Sequence, residues 1–69
     1  MNTTEVEMLV RGVIVEFGLP FKVLSVVGSP LGWNIQVRAD TGGLVSFAVF
    51  GGRPIAMRVA IHEKLEEQF

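Results

Sequence analysis

Few residues in this chain are of a type that could do chemistry. His62 is the only histidine, and Glu66 follows four positions later. On a helix both would share one face, where they could hold a metal or tune the imidazole. Two ligands leave such a site incomplete, and the neighbouring sequence is not the two-histidine zinc motif, so the favoured role is structural or solvated. Two facing carboxylates can do acid–base work when burial separates their pKa values. Glu5, Glu7, Glu16, Glu63, Glu66 and Glu67 fall on expected helix exteriors, and Asp40 falls in a turn, where aspartate is ordinary. Ser25, Ser29 and Ser46 lack the G-x-S-x-G elbow of a serine nucleophile, and there is no cysteine. Gly51-Gly52-Arg53-Pro54 opens a helix, whose free N–H groups attract anions, but no Gly-rich phosphate motif accompanies it. Trp33, the only tryptophan, reads as a core anchor, with the lip of a small-molecule pocket as the alternative. These residues predict no catalytic site, no metal site and no cofactor.

The elements that would position these residues can be read from periodicity. Thr4 and Glu7 have the spacing of a capping box. Val6, Leu9, Val10, Val13, Ile14 and Phe17 then recur on one helical face. Gly18 suits a left-handed cap, Leu19 the hydrophobic contact beyond it, and Pro20 prevents continuation, which places a helix at about 4–17. Phe21 to Val27 reads as a strand, Gly28 to Gly32 as a loop, Trp33 to Asp40 as an alternating strand, and Leu44 to Phe50 as a third. Pro54 fits the first turn of a second helix over about 54–67. The apolar first half of that helix, from Ile55 to Ile61, is expected to be buried on more than one side, with the polar tail projecting. The whole reads as a single α+β domain, α-β-β-β-α, with a three-stranded antiparallel meander and two helices packed on one face.

Register decides which side chains face the helices, because a one-residue slip reverses every side chain. A three-residue loop, Thr41 to Gly43, would set Ala39, Val37 and Ile35 opposite Val45, Phe47 and Val49, all facing inward. Across the Gly28–Gly32 loop, aligning Val27 with Trp33 turns Phe21, Val23, Ser25 and Val27 inward. Leu24, Val26, Leu44 and Phe50 are then left on the outer face.

Composition sets the context. The chain has 69 residues, 49% of them apolar, with a mean hydropathy of +0.48 and a net charge of −1. That apolar content is high for so small a domain and predicts burial against another subunit. Six Lys and Arg against seven Asp and Glu disfavour nucleic acid, whose phosphates usually call for a basic excess. No apolar run reaches the roughly 18 residues of a membrane span. The N-terminus also lacks the basic start of a signal peptide, so a cytoplasmic location is the default.

The α-β-β-β-α order resembles the double-stranded-RNA-binding domain. That resemblance implies RNA contacts through the polar face of the first helix, the Gly28–Gly32 loop, Arg53 and Arg58. The chain departs from the pattern: its first helix is acidic outside, the loop is uncharged, and the lysine cluster is missing. Phe17-Gly18-Leu19, the run from Gly32 to Asp40, and Gly42-Gly43-Leu44 resemble the N-terminal domain of the ribosome maturation factor RimP, which implies ribosome association.

The sequence therefore predicts a non-catalytic module that self-associates as a homodimer. The expected interface comprises Leu24, Val26, Leu44 and Phe50, with Met57 and Phe69. RNA or ribosome association through Lys22, Arg38, Arg53 and Arg58 is the alternative, and a small-molecule site near Trp33 is a further one.

Overall fold

Asn2 is among the best N-cap residues, and Glu5 stands three positions on, so the chain can close a capping box there. In the computed structural model, which describes residues 2–50 and 52–68, it does. The Glu5 N–H donates to Asn2 Oδ1 at 2.9 Å, and the Asn2 N–H donates to Glu5 Oε1 at 3.0 Å. The first helix, α1 (Thr3–Phe17), thus starts ahead of the expected Thr4–Glu7 box, because the earlier pair has the same spacing and a better cap. It ends as its sequence requires. Gly18 adopts φ 61° and ψ 37°, and the Leu19 N–H returns to the Ile14 carbonyl at 3.0 Å.

Three strands follow, β1 (Phe21–Ser29), β2 (Gly32–Ala39) and β3 (Leu44–Phe50), and then α2 (Pro54–Glu66). The sheet is an antiparallel meander in the order β1-β2-β3. α1 packs on β1, α2 packs on β3, and the two helices touch each other, so both cover one face. Val6, Val10 and Val13 of α1, Phe21, Val26, Ile35, Val37 and Val49 of the sheet, and Met57, Ile61 and Leu65 of α2 form the core. Each such side chain contributes roughly 1.5–3 kcal/mol when fully buried.

The β2–β3 turn keeps the expected odd length but sits one residue earlier. The Gly42 N–H reaches the Ala39 carbonyl at 2.8 Å, Ala39 donates to Gly43 at 2.8 Å, and Gly42 takes the left-handed position at φ 95°. Val37 therefore faces Val45, Ile35 faces Phe47, and Trp33 faces Val49. The individual pairs differ by two residues from expectation. An even shift leaves the faces unchanged, so Val45, Phe47 and Val49 still point inward.

The β1–β2 connection differs more. The strands run on to a two-residue turn, Pro30-Leu31, closed by the Ser29 hydroxyl, which accepts from the Gly32 N–H at 3.2 Å and donates to its carbonyl at 3.1 Å. Phe21 and Val23 pair as expected with Ala39 and Val37, but a bulge at Leu24 absorbs one residue. Beyond it Val26 pairs with Ile35, and Val27 with Asn34. Val26 is thus buried rather than outward, and Val27 is exposed rather than inward. The bulge exchanges a serine for a valine at a core position. Strict alternation would have buried the Ser25 hydroxyl, at a cost in desolvation.

α2 also departs from expectation. Its buried residues, Met57, Ile61 and Leu65, form a stripe spaced by four, while Ile55 and Val59 are exposed. One face of a single helix can meet one sheet, so the apolar first half is not enclosed and the polar tail is anchored by Leu65.

Candidate interaction surfaces

Of the expected interface residues, Val26 lies in the core because of the β1 bulge. Met57 is only 1% exposed, because it belongs to the α2 stripe. Phe69 lies outside the described residues. Leu24, at the bulge, Leu44 and Phe50 are exposed, Phe50 to 70%. Of the expected cations, Lys22 and Arg38 are brought directly opposite each other across β1 and β2. Arg53 is the exposed N-cap of α2 and makes no side-chain cap bond. Arg58 is tied to Glu16 of α1 in an ion pair.

His62 has a structural setting. Its ring stacks on Phe17 with centroids 3.7 Å apart and planes 11° from parallel, joining the two helices. Glu66 Oε1 is 2.8 Å from Nε2, but it is not aligned as a hydrogen-bond acceptor. Among the described residues no cluster of three or more His, Cys, Asp or Glu side chains could hold a metal ion. Among them, too, no helix is long and apolar enough to cross a membrane. Trp33 is half-buried and packs against the core. Its ring lies over Gly28, where a Cβ would sit 3.0 Å from the indole carbon Cζ3.

Two surfaces stand out once these residues are placed. One is the outer sheet face, which the helices leave bare. Its cross-strand rows are Lys22–Arg38–Leu44, then Ser25–Gln36–Ser46, then Val27–Asn34–Ala48, then Ser29–Gly32–Phe50. Polar and apolar groups of the two middle rows line a shallow depression of about 430 Å³.

The other surface is the free edge of β3. β3 pairs only with β2, and no main-chain hydrogen bond among the described residues reaches its outer side. Alternation from the Ala39–Gly43 bond makes Val45, Phe47 and Val49 the bonded partners of β2. The N–H and C=O groups of Leu44, Ser46, Ala48 and Phe50 therefore point outward. Natural edges are usually blunted by charge, proline or a bulge. β1, the other edge, carries Lys22 and the Leu24 bulge. β3, Leu44-Val45-Ser46-Phe47-Ala48-Val49-Phe50, carries none of these. The signal was present in the sequence as an uncharged seven-residue run, but only strand order shows that the run is an edge. No family model, curated protein or solved structure matches this chain.

Proposed function

We propose that this domain is a non-catalytic assembly module that forms a homodimer by antiparallel pairing of two β3 edges. The observation that carries this reading is the open, uncharged edge itself. An unprotected strand is a template for another strand, and a second copy of the same strand is self-complementary about a two-fold axis.

The hydrogen-bond phase supports one register. Full-length antiparallel pairing sets Leu44 opposite Phe50 of the second copy, Val45 opposite Val49, Ser46 opposite Ala48, and Phe47 opposite Phe47. The residues whose main-chain groups point outward are then the ones that meet as bonded pairs. Phe47 falls on the two-fold axis as a non-bonded pair, where side chains approach most closely. Exposed Leu44 and Phe50 become cross-strand neighbours, and half-buried Val45 and Phe47, beside the buried Val49, extend the core across the axis. Six continuous strands would result, and the excess of apolar residues would find cover.

Sedimentation over a micromolar concentration series tests the reading. The expected species has twice the 7.5 kDa mass of one chain. A single 7.5 kDa species throughout would contradict it.

A further inference from the structure

We propose that the outer sheet face binds single-stranded nucleic acid, with Lys22 and Arg38 holding phosphate and Phe50 stacking on a base. This inference does not depend on self-association.

The net charge of −1 is an average over two unlike surfaces. The strands carry Lys22 and Arg38 and no carboxylate. Glu5, Glu7, Glu16, Glu63 and Glu66 all lie on the helices, which occupy the other side of the sheet. Asp40, in the turn beside the cations, forms an ion pair with neither of them. Lys22 and Arg38 are direct cross-strand partners on the same face. Like charges so placed oppose each other, and an anion bridging them removes that opposition.

The rest of the face continues the match. Next to the cations stands the row Ser25–Gln36–Ser46, and Asn34 follows in the row beyond. No internal hydrogen bond among the described residues engages these four side chains. They offer uncharged donors and acceptors of the kind that meets base edges. At the far end, Phe50 is exposed beside Gly32, whose missing Cβ lets β2 and β3 approach closely there. From Arg38 to Gly32 the face spans about 20 Å, at the usual rise per strand residue, enough for a few nucleotides. An acidic peptide would satisfy the cations and could hydrogen-bond the polar rows, but an oligoglutamate offers no ring to stack on Phe50. A short nucleotide chain supplies all three partners, phosphate charge, hydrogen-bonding base edges and stacking rings, along its length.

The test is fluorescence anisotropy with a labelled oligouridylate of about ten nucleotides, a length within the usual site sizes, from low to moderate salt. Phosphate held by these cations predicts a slope of log K against log salt of about −0.7 where they share one phosphate and about −1.4 where each holds its own. The Lys22→Gln/Arg38→Gln variant should lose that slope, and Phe50→Ala should weaken binding about tenfold or more while keeping it. Circular dichroism confirms that each variant is folded. Repeating the titration with Ala48→Pro, which blocks the β3 edge and leaves every proposed contact side chain in place, separates this inference from dimerisation, and unchanged binding is expected. Absence of binding at low salt would overturn the proposal. So would an unchanged slope in the double variant, or equal affinity for an oligoglutamate of matching charge.

Discussion

Ser46 directs its N–H away from β2, so Ser46→Pro removes a donor that the monomer does not use. Proline is tolerated on an edge strand when its missing N–H faces solvent. The fold should therefore survive. The proposed dimer should not, because Ser46 there donates to Ala48 of the second copy. Full-length pairing of two β3 strands makes about eight main-chain hydrogen bonds by the antiparallel pattern. Two-fold symmetry removes one donor per copy, so about two are lost. At roughly 1 kcal/mol net each, the cost is about 2 kcal/mol. That weakens the dimer about 30-fold, before any crowding by the proline ring is added. Sedimentation of parent and variant at matched concentrations reads the shift, and thermal unfolding followed by circular dichroism checks the fold. A folded variant that dimerises as tightly as the parent would refute the β3 edge as the contact.

Other substitutions probe the fold that presents these surfaces. Gly32→Ala places a Cβ 2.4 Å from the Val49 carbonyl oxygen and 2.8 Å from the Phe50 Cα, so β2 and β3 must separate. A loss of about 1–3 kcal/mol in urea denaturation is expected. Val26→Ser puts a hydroxyl into the core and should cost about 2–3 kcal/mol, whereas Ser25→Val, on the outer side, should change stability by less than about 0.5 kcal/mol. The reverse order of those two effects would contradict the bulge at Leu24. Gly18→Ala meets no steric neighbour, but it forces a side chain to φ 61°, so a loss of about 1 kcal/mol in the same assay is expected from backbone conformation alone.

The parts of this molecule that were legible in its sequence are those set by local chemistry. Gly18-Leu19-Pro20 specifies the end of α1, and each strand lies within two residues of its expected bounds. The faces of β2 and β3 were also readable, because an odd loop length fixes parity even when the loop itself moves by one residue. Parity is also why β1 was misread. A two-residue turn at Pro30-Leu31 and a bulge at Leu24 each shift the register, and the sequence shows neither cost nor gain until Ser25 and Val26 compete for one core position. α2 was misread for a different reason. Apolar residues all round its first half do not state how many neighbours it has, and in this fold only the Met57–Ile61–Leu65 stripe meets the sheet. The candidate surfaces depend on arrangement still further. That Lys22 stands opposite Arg38, and that β3 is an edge, are facts of pairing order.

Amide hydrogen exchange at β3, followed by NMR across a concentration series, tests the edge pairing most directly. The N–H groups of Val45, Phe47 and Val49 bond to β2 in either state and should be protected at every concentration. Those of Ser46 and Ala48 face outward in the monomer and bond to the second copy in the dimer. Edge pairing predicts that their protection rises with concentration, in step with the sedimenting mass. Rapid exchange at Ser46 and Ala48 under conditions where the protein is dimeric would contradict it and place the interface elsewhere.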